Sequence, residues 1–116
     1  MTDSSSAAPS NNGATGELSR ERDRVVRRLS SMALDAIPVG RVLGVGQALA
    51  DLAATANGDR VRVVPQLPPH AAADQIAVLT AEVESATRAL AGTDPTSAAA
   101  LAEQARVVLA DLRADL

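Results

Sequence analysis

The stretch AAADQIAVLTAEVESATRALAGTDPTSAAALAEQARVVLADL, residues 71–112, decides the fold of this chain. Its apolar residues recur at alternating spacings of three and four, the pattern of a helix with one apolar seam. The seam residues are Ala72, Ile76, Leu79, Val83, Ala86 and Leu90 in the first half, and Ala98, Leu101, Ala105, Val108 and Leu112 in the second. Between the halves, Asp94 followed by Pro95 is typical of a helix start. Residues 71–91 and 94–114 are therefore predicted to form an antiparallel helical hairpin.

Two further helices are predicted upstream, over residues 17–36 and 42–56. In the first, one arc of the helical wheel holds the apolar residues Leu18, Val25, Leu29, Met32, Ala33 and Ala36. Pro38 is expected to end this helix, because a proline disfavours the helical conformation of the residue before it. In the second, Gln47 and Asp51 lie opposite the apolar side, and Asn57-Gly58 is a good helix end.

The segment RVRVVPQLPPH, Arg60 to His70, belongs to a predicted extended connector over residues 57–70. Arg62, Pro65 and Pro68 have the spacing of a ligand for polyproline-binding domains. Prolines also make a stiff spacer, and Pro68-Pro69 stands where the next helix would begin. The connector interpretation is the favoured one.

The predicted fold class is all-α: a small helical bundle of three to four helices, with a C-terminal antiparallel hairpin. Residues 17–116 would form a single small domain. Residues 1–16 are rich in Ser, Asn, Gly and Pro and are expected to be a disordered N-terminal tail. The alternative is an α+β fold, because Val39–Val45 and Arg60–Val64 alternate and could form a short two-stranded element.

Composition excludes several classes of function. The 116 residues include no cysteine and no aromatic residue, so the chain has no thiol chemistry and no aromatic platform for nucleic-acid bases. Its core must consist of Leu, Val, Ile and many Ala, which bury little apolar surface, so self-association is expected to add stability. No membrane span is predicted. Arginine as the only basic side-chain type besides one histidine suggests a high-GC bacterial genome, and cytoplasmic localisation is expected.

Five arginines of the first helix are the candidate partner-binding residues. Arg20, Arg24, Arg27 and Arg28 occupy one arc that could follow a phosphate backbone, whereas Arg22 projects into the apolar arc and should need a carboxylate or carbonyl partner. Acidic residues are interleaved, for example Glu21 with Arg24 and Asp23 with Arg27. A further pair, Glu84 with Arg88, is expected on the outer side of the third helix.

No catalytic, cofactor-binding or metal-binding set is predicted. The glycines of Gly44-Val-Gly46 are spaced as in a dinucleotide fingerprint, but Leu49 stands where that motif needs Gly or Ala. Gly40 and Gly44 are instead expected to allow the close approach of another helix. His70 is the only histidine, and one histidine in a chain without cysteine cannot build a zinc site.

We therefore expect a non-enzymatic protein–protein interaction or accessory module without a cofactor. Its partner would be a second copy or a larger protein, and it would self-associate through its apolar helix faces. One alternative is a nucleic-acid-associated protein that uses the arginine face. A second is a small-ligand-binding or enzyme-related domain that uses a Gly40–Gly46 loop.

Overall fold

The computed structural model describes residues 9–116, and it describes side chains from Gly13 onward. Four long helices make up most of it: α1 Pro9–Ser31, α2 Val39–Asn57, α3 Ala72–Ala91 and α4 Pro95–Ala114. Two short 3₁₀ turns, Leu34–Ala36 and Pro69–Ala71, lie in the connections. Residues 9–116 contain no β-strand, so the all-α prediction is confirmed and the α+β alternative is wrong for them.

The α3–α4 hairpin is the centre of the bundle. Both α1 and α2 pack against both of its helices, while α1 and α2 make little contact with each other. Helix α1 runs parallel to α4, since Glu21 meets Arg113 and Arg28 meets Leu116. Among pairs of helices that follow each other in the chain, only α2 and α3 are parallel. The connector between them must therefore run back along the length of the bundle.

The hairpin itself forms as its sequence predicts. Asp94 caps α4: one carboxylate oxygen accepts the Ser97 backbone N–H at 3.0 Å and the other accepts its hydroxyl at 2.6 Å. These bonds from Ser97 hold the pKa of Asp94 below its ordinary value. Pro95 is the first helical residue. At the same end of the bundle, Gly58 caps α2 with a φ of 71°, a left-handed conformation that glycine adopts without steric cost.

The first helix differs from its predicted range of 17–36. It begins at Pro9, so residues 9–16 are helical, and Ala14 packs against the core. It ends at Ser31, where the chain turns: Met32 is half-buried and Ala33 and Ala36 are exposed. Ile37 then returns to the core, which fixes this connection. Residues 1–8 of the predicted tail lie outside the described residues, so their disorder stays a prediction.

The close helix approach that was predicted at Gly40 and Gly44 lies elsewhere. Both glycines are exposed, and a Cβ added to either would meet nothing within 4 Å. A Cβ on the buried Gly46 would lie 3.0 Å from Leu79 Cδ1, so this glycine is where α2 meets α3. The prediction of Gly40 and Gly44 was wrong. Glycines four residues apart lie on one face of a helix, but their spacing does not show whether that face packs against a neighbouring helix.

We expect Gly44→Ala to raise the free energy of unfolding by about 0.5–1 kcal/mol, because alanine restricts the unfolded chain and favours the helix. Urea unfolding followed by far-UV circular dichroism measures this change. Gly46→Ala is the matched control on the same helix, and its crowding against Leu79 should cancel the gain. Equal stabilisation by both substitutions would contradict the close contact at Gly46.

Candidate functional site

The two apolar seams of the hairpin are used inside the chain. Of their eleven members, Leu90 and Val108 are half-buried and the remainder are buried. These two seams are therefore not available for the self-association through apolar helix faces that was expected from the sequence. The surfaces available for a partner must be sought elsewhere on the bundle.

The connector between α2 and α3 is the first such surface. Its polypeptide is extended, and two glutamine side chains hold it against the bundle. The Gln47 amide donates to the Arg62 carbonyl and accepts the Val64 N–H, at 2.8 and 2.9 Å. Gln75 donates to the Pro65 carbonyl at 2.9 Å. Gln47 thus bonds the connector as a neighbouring parallel strand would.

Gln47 was expected on the solvent side of α2, and the sequence pattern missed its role. Its amide also donates to Asp51 at 2.8 Å, so both of its N–H groups and its oxygen are engaged. Arg62 adds an ion pair with Glu82, in which its Nη2 donates to both carboxylate oxygens at 2.9 and 2.8 Å.

The clamped connector presents one open edge. Val64 is buried with 5% of its surface exposed, whereas the adjacent Val63 is 88% exposed. Among residues 9–116 nothing bonds the backbone N–H or C=O of Val61 or Val63. In an extended chain these groups point away from the side that Gln47 occupies. We call Val61 and Val63 with their free backbone groups the valine edge.

An apolar groove adjoins the valine edge. It has a volume of about 240 Å³ and lies between the connector and α3, where Leu67 and Val78 are exposed. Four of the six large apolar residues that are exposed in the described chain lie in this region: Leu67 and Val78, which line the groove, and Val61 and Val63 of the connector, which do not line it. Exposed apolar residues that are scattered singly need no explanation, but such clustering is typical of a docking surface.

The predicted arginine arc is divided in the structure. Arg22 turns towards α3 and donates to both oxygens of Glu84 at 3.0 and 3.2 Å. It therefore has the carboxylate partner that its apolar position required. The Arg20 guanidinium lies over Gly16, further towards the start of α1. The remaining three arginines of the set, Arg24, Arg27 and Arg28, surround one cleft together with Arg113 of α4.

These four arginines line an open cleft of about 560 Å³, together with Ser31. We call it the arginine cleft. Beneath it, the buried Glu21 accepts hydrogen bonds from Arg24 at 3.1 Å and from Arg113. Burial opposes the ionisation of Glu21, but Arg113 and Arg24 outweigh it, so the pKa of this carboxyl lies below the ordinary value of 4.5. Arg28 donates to the Leu116 carbonyl.

Two of the predicted ion pairs do not form. Asp23 bonds Arg22 rather than Arg27. Glu84 is buried and accepts hydrogen bonds from Arg22 and from the Ser19 hydroxyl, so the expected outer pair with Arg88 is wrong. The reason is the central place of α3, which three other helices contact, so that its buried surface extends well beyond the seam. The predicted pair of Glu21 with Arg24 is confirmed.

The Gly40–Gly46 loop of the second alternative is the beginning of helix α2. Within residues 9–116 no group of three or more His, Cys, Asp or Glu side chains could hold a metal ion. In the same part of the chain, none of the helices combines the length and the apolar character needed to cross a membrane. No protein-family model, curated protein or solved structure matches this chain.

Proposed function

We propose that this protein is a non-enzymatic interaction module whose docking surface is the valine edge and the apolar groove beside it. The observation that carries this proposal is Val63, an 88% exposed valine on a rigidly held extended segment. A segment of that kind is a ready template for another extended chain, which adds backbone hydrogen bonds along the open edge.

The absence of an enzymatic role is part of the same proposal. Among the described residues, each carboxylate with a clearly shifted pKa has a structural partner: Glu21 bonds Arg113 and Arg24, Asp94 bonds Ser97, and Glu103 bonds Arg106. Catalytic acids and bases are usually shifted by an environment that serves the reaction instead. Glu21 joins two helices, Asp94 caps α4, and Glu103 forms a pair within α4.

A second copy of the chain is the partner that the valine edge fits. The sequence Val61-Arg62-Val63 has the same residue types in both directions. In an antiparallel pair centred on Arg62, Val61 of each copy would exchange both backbone hydrogen bonds with Val63 of the other copy. All the free groups of the valine edge would then be bonded. Each Arg62 would keep its own Glu82, which limits the repulsion between the two arginines.

The test is the molecular mass of the full chain in solution from micromolar to millimolar concentration, by sedimentation equilibrium. We expect a reversible monomer–dimer equilibrium, and Val63→Lys should abolish the dimer because a charge on an edge strand opposes pairing. Val107→Lys is the matched control, since Val107 is a partly exposed valine on α4. It should dimerise like the unsubstituted chain.

Amide hydrogen exchange provides a second measurement. The Val61 and Val63 amides should exchange more slowly as the protein concentration rises, while the Arg60 amide serves as a neighbouring reference. A chain that stays monomeric throughout, with unchanged exchange at both valines, would remove the second copy as the partner. A dimer that survives Val63→Lys would remove the valine edge as its interface.

A further inference from the structure

We propose that the arginine cleft binds a compact anion that carries two or more phosphate groups. This is a site separate from the valine edge, and it does not depend on dimer formation. The cleft volume of about 560 Å³ falls within the range of small-molecule sites, roughly 300–1,000 Å³. Guanidinium groups recognise phosphate oxygens well, because their N–H donors form a planar fork.

The cleft has more positive charge than its surroundings neutralise. Arg24, Arg27, Arg28 and Arg113 line it. Glu21 is bonded to Arg24 and Arg113, and the main-chain oxygen of Leu116, the last residue, is bonded to Arg28, so at most two negative charges meet four positive ones. Nearby acidic groups are engaged elsewhere: Asp23 with Arg22, and Asp115 with Arg41. An anion bound in the cleft would supply the negative charge that the protein itself does not provide there.

Two of the four guanidiniums are also held in place before any ligand arrives. Glu21 binds Arg24 and Arg113 from the buried side, so these two side chains cannot swing freely. Each keeps further N–H donors for a ligand, because an arginine carries five. Among residues 9–116, Arg27 has neither a hydrogen bond nor an ion pair, so its whole fork is available. Less conformational entropy is lost when a ligand meets the fixed donors of Arg24 and Arg113.

The shape of the charged region favours a compact ligand over a nucleic acid. Arg20 and Arg22 do not line the cleft, because the Arg20 guanidinium lies towards Gly16 and Arg22 is bonded to Glu84. The chain has no aromatic side chain on which a base could stack, and its formal net charge is −3. A long polyanion would therefore meet repulsion beyond the cleft, whereas a short polyphosphate fits within it.

The test is a titration of the full chain with inorganic triphosphate at low ionic strength, followed by amide chemical shifts in two-dimensional NMR. We expect saturable shifts at Arg24, Arg27, Arg28 and Arg113. Arg27→Ala should weaken binding by about tenfold, the loss of one charge-assisted contact to phosphate. Arg20→Ala removes an exposed arginine of the same helix outside the cleft, so it should change the affinity by less than about twofold.

Three outcomes would overturn the proposal. The first is the absence of saturable shifts at low ionic strength. The second is an equal loss of affinity in Arg20→Ala and Arg27→Ala, which would indicate diffuse charge attraction rather than a site. The third is tighter binding of a short DNA duplex than of triphosphate, with shifts at the same residues. That result would assign the cleft to nucleic acid instead.

Discussion

Replacing Glu21 by glutamine is expected to lower the free energy of unfolding by about 1–3 kcal/mol at neutral pH. The buried Glu21 carboxylate is shared by Arg24 of its own helix and Arg113 of α4, so it joins the two parallel helices. Glutamine has nearly the same shape, but it lacks the charge and one of the acceptor oxygens. Urea unfolding at neutral pH measures the loss.

Glu103→Gln is the matched control for this substitution. Glu103 also pairs with an arginine, Arg106, but both side chains lie on the surface of α4. Exposed pairs contribute little because water and salt screen them. We expect almost no change in the urea midpoint of this variant. A similar loss in both variants would mean that burial of Glu21 has no energetic importance.

The same carboxylate predicts a pH dependence. The folded state holds the pKa of Glu21 below its ordinary value of 4.5, so the unfolded chain takes up the proton first as the pH falls. The stabilisation is therefore complete above about pH 4.5 and is lost as the pH falls through the pKa of the folded state. Below pH 4.5 the unsubstituted chain should lose more stability than Glu21→Gln. Parallel curves for the two proteins would contradict the assignment.

Leu109→Ala is expected to cost about 2–5 kcal/mol, the largest effect of a single substitution that we predict. Few large apolar side chains among residues 13–116 have no exposed surface: Leu18, Leu49, Ile76, Val83, Leu109, Leu112 and Val25. Alanines occupy many of the other core positions, so each large residue contributes an unusual share of the buried apolar surface. A cavity at Leu109 cannot be filled by aromatic neighbours, because the chain has none.

Val107→Ala, two residues away on the same helix, is the control for this cavity. Val107 is 40% exposed, and its truncation should change stability by less than about 0.5 kcal/mol. We expect Leu109→Ala to shift the urea midpoint strongly and to populate unfolded chains in the absence of urea. A small shift that is comparable in both variants would show that Leu109 is not part of a continuous core.

The candidate surfaces could be predicted from the sequence only in part. The arginines of α1 are visible as an arc, but their division depends on Glu84 of α3 and Arg113 of α4, which are far away in the chain. The exposure of Val63 is equally difficult to predict from the sequence. Alternation in Arg60–Val64 predicts an extended segment, but a single sequence does not show that Gln47 occupies one edge and leaves the other open.

The sequence by itself determined the helices and the hairpin. Apolar spacing, the Asp94-Pro95 start and the Gly58 end act within a few residues, so they are legible along the chain. Tertiary structure alone decided which polar side chains are buried, because α3 packs against three other helices and its seam accounts for only part of that contact. The tertiary structure also decided that the connector is not a strand of a sheet, because the group that hydrogen-bonds its inner edge is the Gln47 side chain of α2.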